Sequence, residues 1–469
     1  MKQKLQMLSA GILCLLSLSA SSATPMAQQF VDSTVQSLQR HLDDASEGDT
    51  VFVQPGKYEG NLLISKRIAL VGVGKPVIRG RGIGSVITVS ADRSTLMGLV
   101  IEHSGTMLIQ EDAGILVKSS FNTLERNELR DVLFGIYLLG SHNNTISQNT
   151  VVGRNQLELG ERGSGIHLWN SHRNTFSGNT ISDTRDGFYV QNANGTLIED
   201  NEVCRVRYGL HYMYADSNVF LRNSFHDNVA GAAVMYSHGI IVRKNIFAHN
   251  RGFSSFGILF QDCTGMVVDS NIIVDNVVGM FFEGTRRNVF RHNVIAQNDA
   301  ALEMFQNSTE NIFTENNFID NLNPLFLIGK RTETRWNLGE KGNYWSTYDG
   351  YDLDDDGVGD VPFKIQNVFH YLEGQYPNIR LYLYSPASQA LAAASSAFPI
   401  IEISQEKDVF PLMRPIEIEG MDELRDNFDR RGISKDVGHA HATLAFALPI
   451  VCMLTGGIAF WRVIRRRQL

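Results

Sequence analysis

Cysteine is scarce. Four residues in 469 are too few for a disulfide scaffold. Cys14 and Cys452 lie in apolar runs at the two ends, so only Cys204 and Cys263 remain in the body of the chain. They fall at different positions of the repeat described below and are expected as small buried hydrophobes, not as a pair. Proline is also rare, 11 residues against 41 glycines, which excludes a Pro-rich linker protein and fits many tight corners. Basic residues form no dense internal tract and the net charge is -8, so nucleic acid is not an expected partner. A composition 43% hydrophobic and 20% charged excludes a disordered chain.

The ends carry other signals. Residues 1–23 have Lys2 and Lys4, an apolar stretch from Leu8 to Leu18 and small residues at Ser21, Ser22 and Ala23, the pattern of a secretory signal. Residues 442–461 run without a charge for the length a membrane helix needs, and the tail at 462–469 carries Arg462, Arg465, Arg466 and Arg467. The expectation is an exported body anchored by a C-terminal helix.

Between these ends the chain repeats. One asparagine recurs at Asn127, Asn149, Asn179, Asn201, Asn223, Asn245, Asn271, Asn293 and Asn316; others run five residues earlier and through Asn228, Asn250, Asn276, Asn298 and Asn321. The interval is mostly 22 residues, and short alternating segments lie between the corners. This is the pattern of an all-β chain, a right-handed parallel β-helix of about 12 coils over residues 50–384. Asparagine suits the corners because it tolerates left-handed backbone angles and its amide can bond to the coil above. Val31, Val35, Leu38 and Leu42 predict an amphipathic helix within 28–48 that caps the first coil.

One strand of each coil is unusual. If Ile166, Leu168, Leu210 and Tyr212 point inward, then Tyr137, His167, Trp169, Tyr189, His211, Met213, Met235, Phe281 and Phe305 point outward, where a solvated strand would carry Thr, Lys or Ser. Glu283 and Glu303 are the isolated acids of this stripe. Insertions around 155–162 and 253–256 precede the same strand, as they do beside the working face of a solenoid. Three readings fit the stripe. It is a partner surface with Tyr137, Trp169, Tyr189, Phe281 and Phe305 as anchors; it holds soft copper through His167, His211, Met213 and Met235; or the phase is inverted and the stripe is core. Asp183, Arg185 and Asp186 read as a solvated turn.

Further on, Asp352, Asp354, Asp356 and Asp360 with Gly357 follow the order of a calcium loop, for a structural Ca2+, although position 12 is Phe363 and not Glu. Residues 385–397 are a small-residue linker. Residues 398–441 read as an extended membrane-proximal arm, with Phe410, Leu412 and Met413 docking on a membrane subunit. His439 and His441 stand at the outer membrane edge.

Pro55-Gly56-Lys57-Tyr58-Glu59-Gly60, the Asn coils, and Gly342-Asn343-Tyr344-Trp345 with Tyr348-Asp349-Gly350 and the acidic loop together resemble the NosD family, periplasmic accessory proteins of nitrous oxide reductase maturation. The resemblance implies a non-enzymatic protein at the inner membrane that carries copper transiently. It implies as partners an ABC transporter membrane subunit with its cytoplasmic ATPase, a copper-donor lipoprotein and apo nitrous oxide reductase. It fixes no copper ligand on a particular position. The rival class is a polysaccharide-binding or polysaccharide-modifying β-helix enzyme. A hydrolase needs paired carboxylates, which the stripe does not offer, and the sequence has no Asp-Pro-His-Glu run.

Overall fold

The computed structural model describes residues 35–329, 332–365, 385, 386, 390 and 406–417. Three parallel sheets run the length of the molecule, of 12, 13 and 12 strands. Each coil contributes one strand to each sheet, and each strand pairs in register with the same strand of the next coil, as in Thr145↔Thr175 and His167↔Tyr189. The sheets thus form a parallel β-solenoid of twelve complete coils, with Tyr344–Trp345 starting a thirteenth.

The 22-residue period has a direct structural cause. Each Asn of the main series donates its side-chain amide to the Oδ1 of the Asn one coil on, as in Asn201 to Asn223 at 2.9 Å and Asn223 to Asn245 at 3.0 Å. The ladder is unbroken from Asn127 to Asn343, and these side chains are buried. Corner amides that would otherwise lie unsatisfied are paired. A glycine opens most strands of the third sheet because the coils approach closely there: a Cβ on Gly231 would lie 2.2 Å from the Gly257 carbonyl oxygen. Inside, Phe225 stacks on Phe247 and Phe290 on Phe313, with centroids 5.5 and 4.6 Å apart. Each such ring contributes roughly 2–3 kcal/mol by burial.

Helix α1, Val35–Asp44, packs Leu38 and Leu42 onto the first coil. At the other end, residues 406–417, part of the extended membrane-proximal docking arm expected over 398–441, lie against the last coil. Lys407–Asp408 pairs antiparallel with Phe363–Lys364, and Leu412 bridges to Tyr344 and Val358. Glu406 accepts from the Trp336 indole at 2.7 Å, and Asp408 accepts from the Asn343 backbone N–H at 2.7 Å. Phe410, Leu412 and Met413 are half-buried against the solenoid. The physical reason is that the last coil leaves an uncovered core and unpaired amides, which this segment closes.

The signal at 1–23, the linker at 385–397 for the most part, the rest of the arm including His439 and His441, the span at 442–461 and the basic tail lie outside the described residues. Among the described residues no helix is long and apolar enough to cross a membrane.

Candidate functional site

The outer face of the third sheet carries the stripe. Ile136, Leu138, Ile166, Leu168, Phe188, Val190, Leu210 and Tyr212 fill the interior, so the alternate residues of these strands face outward. Trp169, Tyr189, His211, Met213, Met235, Phe281 and Phe305 are half-exposed there. The phase of the strands is therefore not inverted.

Two residues expected in solvent are covered. Tyr137 is 2% exposed and His167 9%. They stand outside the barrel, yet neighbours shield them: Phe134 and Tyr137 meet the His167 ring edge-on at 5.4 and 4.6 Å, and Tyr189 stacks on it at 4.4 Å. Neither ring nitrogen of His167 has a hydrogen-bond partner among the described residues. Burial pushes this imidazole down to about 3. Burial, with Glu111 as hydrogen-bond partner, pushes the Tyr137 phenol well above its usual range. Glu111 belongs to a third insertion, residues 104–112, which the sequence pattern did not reveal because that coil lacks the regular Asn series.

The turn containing Asp183 and Asp186 is not the solvated one expected. Asp186 is 1% exposed. Arg207, one coil on, donates to it from Nε and Nη2 at 2.8 and 2.7 Å. His211 Nδ1 lies 3.3 Å from Asp186 Oδ2. Burial by itself would raise this carboxyl; the His211 and Arg207 hydrogen bonds and the guanidinium charge outweigh it and hold the carboxyl below the usual range. Arg207 Nη2 lies at the same 3.3 Å from Nδ1, so Asp186 and Arg207 together hold the imidazole by this one nitrogen, and Nε2 takes no part in these contacts.

The copper candidates are not all together. His167 pairs with Tyr189 and Tyr189 with His211, so the Tyr189 ring separates the two histidines. Met213 and Met235 are register partners on adjacent coils, about 4.8 Å apart along the stack, and Met213 shares its strand with His211. The structure thus groups His211, Met213 and Met235 and sets His167 apart.

In the acidic loop, Asp352, Asp354 and Asp356 bring oxygens within 4.8 Å of one another. Asp360 is turned to the Leu353 N–H at 2.8 Å, and Asp352 accepts from the Gly357 N–H at 2.9 Å. The loop is closed by its own backbone contacts. Cys204 and Cys263 are buried and, among the described residues, unpaired.

The profile of the family described as "Periplasmic copper-binding protein (NosD)" matches residues 153–350, which include His167, His211, Met213 and Met235. The "Probable ABC transporter binding protein NosD" of Pseudomonas aeruginosa is 30% identical over 372 residues, 76% of this chain and 87% of the relative. The protein of the same name from Stutzerimonas stutzeri is 27% identical over 376 residues, 76% and 85% of the two chains. Among solved structures, a mannuronan C-5 epimerase A-module of Azotobacter vinelandii superposes with a TM-score of 0.54 at 15% identity, over 66% of this chain and 100% of that one. That likeness is one of fold alone. At the identity and coverage of the Pseudomonas relative, the chain belongs to the NosD family.

Proposed function

We propose that this protein is a non-enzymatic periplasmic scaffold that handles copper beside an ABC transporter while the copper centres of nitrous oxide reductase are assembled. The observation that carries the reading is the orientation of His211 by buried Asp186. A carboxylate on one ring nitrogen is the usual support for a histidine that ligates through the other. One imidazole and the two thioethers of Met213 and Met235 form a soft donor set that suits Cu(I) as transient cargo. His167 would serve only after its aromatic cover moves.

The half-exposed rings of Trp169, Tyr189, Phe281 and Phe305 suit the recognition of the copper donor and of the apo reductase. In this reading the segment at 442–461 anchors the protein to the inner membrane, next to the transporter's membrane subunit and its ATPase.

The test is copper delivery to apo nitrous oxide reductase by a chain carrying His211→Ala, Met213→Leu and Met235→Leu. Delivery should fail while the fold survives. Unimpaired delivery removes these residues from the site, and turnover of a uronate polymer by the purified protein moves the chain to the enzyme class.

A further inference from the structure

A second constellation lies on the corner that leads into the third sheet, away from His211. Arg154, 5% exposed as a side chain, donates Nε to Asp131 Oδ1 at 2.9 Å and its terminal nitrogens to the Gly105, Ser104 and Asp131 carbonyls. The guanidinium is thus consumed in fixing Asp131 and the base of the 104–112 insertion. The other oxygen of Asp131 meets His103 Nδ1 at 2.9 Å. His103 Nε2 takes no hydrogen-bond partner among the described residues, and the ring lies against Gly82, where a Cβ would sit 3.1 Å from that nitrogen.

This relay forms one wall of a pocket of about 520 Å³ between the 104–112 and 155–162 insertions. Leu108 and Leu157 make its apolar sides, and Glu161 stands at the rim. Two carboxylates, Asp131 and Glu161, against the one guanidinium of Arg154 leave these side chains with a net negative charge, and the Glu161 carboxylate, which accepts the Glu158 N–H at 3.3 Å, keeps further acceptor capacity. Around it Ile83, Met107 and Ile109 are 73%, 49% and 89% exposed. Exposed apolar residues gathered about an acidic pocket mark a contact surface.

We propose that this pocket is a socket for a basic side chain of a partner protein, whose aliphatic stem lies on Leu108 and Leu157 and whose cationic head is held between His103 and Glu161. The surrounding Ile83, Met107 and Ile109 receive the apolar residues beside that side chain. Charge complementarity and an aliphatic-plus-acceptor lining select a Lys or Arg side chain. The site is distinct from the copper-handling wall and does not depend on it.

The probe is n-butylguanidinium, titrated into the full-length chain carrying 13C-labelled histidine, with the His103 ring signal assigned from His103→Gln. The expected result is a saturable shift of that signal. Affinity should fall roughly fivefold or more in Glu161→Gln, as loss of a charge-assisted contact predicts, and also in Leu108→Ser, while the distant Glu310→Gln has no effect. A signal that does not move, an equal response to n-butanol, or a response that Glu161→Gln leaves unchanged overturns the proposal. So does binding to anionic phospholipid vesicles that Ile109→Ser abolishes and Glu161→Gln does not, since that makes the corner a membrane contact.

Discussion

Asp186 Oδ2 stands 3.3 Å from His211 Nδ1, and the two side chains come from neighbouring coils in register. The contact turns two ordinary wall positions into an oriented imidazole. In solution, 15N shifts of His211 should report the Nδ1–H tautomer. Asp186→Asn should weaken Cu(I) retention about 10- to 100-fold, the usual effect of removing such a support. It should also destabilise the chain by about 3 kcal/mol, because Arg207 is left without its counter-charge in a largely buried setting. Chelator competition and denaturant unfolding separate the two effects.

His167→Phe should raise stability. The imidazole is 9% exposed with both nitrogens unpartnered, and such burial costs about 1–3 kcal/mol that a phenyl ring in the same aromatic setting does not incur. A higher unfolding midpoint with unchanged copper delivery would make His167 a packing residue. A higher midpoint with lost delivery would identify it as a group kept for function at the expense of stability.

The solenoid was legible because its cause is periodic. Asn201, Asn223 and Asn245 repeat at the interval that brings each amide onto the next. The outward phase of Trp169, His211 and Met213 was legible from strand alternation for the same reason. The cover over His167 was not, because alternation says on which side of the wall a side chain stands and not how closely Phe134, Tyr137 and Tyr189 pack over it; Glu111, the partner of Tyr137, lies in the irregular 104–112 insertion, whose register no repeat announces. The burial of Asp186 was missed because its partner Arg207 sits 21 residues away, and sequence neighbours alone suggest a solvated turn. The docking of residues 406–417 depends on contacts 65 and 99 residues apart, between Asn343 and Asp408 and between Asn317 and Ile416, beyond any local signal.

Asn223→Ala should cost more than an average surface change. It removes the acceptor for the Asn201 side chain at 2.9 Å and backbone N–H at 3.1 Å, and the donor to the Ile198 carbonyl at 2.8 Å. Leaving these buried groups unpaired costs about 1–3 kcal/mol each at most. The drop should appear in urea unfolding and as faster amide exchange in the two flanking coils.

Acid should unfold the protein with a defined sign. Burial by itself would raise the Asp269 carboxyl, and hydrogen bonds from Ser270 and His292 with the charges of Arg291 and Arg243 outweigh it. Glu102 is lowered likewise: burial opposes, and Arg79 and Arg130 prevail. A carboxylate whose folded value lies below its unfolded value stabilises at pH above the unfolded value, and that stabilisation is lost as pH falls through the folded one. The urea midpoint should therefore decline below about pH 4, and Asp269→Asn should make that decline shallower. An unchanged slope in the variant would show that Asp269 takes no part in it.

Asp408 ends the asparagine ladder, and its charge type follows from what surrounds it. Oδ2 accepts from the Asn343 N–H at 2.7 Å and the Trp345 indole at 3.0 Å, while Oδ1 accepts from the Phe410 N–H at 3.1 Å. Donors face both oxygens, so an amide, whose nitrogen donates, cannot satisfy all of them. Asp408→Asn should thus lose one bond, at Phe410, and cost about 1 kcal/mol. Asp408→Ala strands all the donors and should cost about 3 kcal/mol or more. In the Ala variant residues 406–417 should detach from the last coil, and trypsin should cut at Lys407 under conditions that spare the parent chain, while Arg414, followed by Pro415, stays uncut. If the Asn and Ala variants resist trypsin equally, the segment is held by its apolar contacts and the ladder does not depend on this carboxylate for its closure.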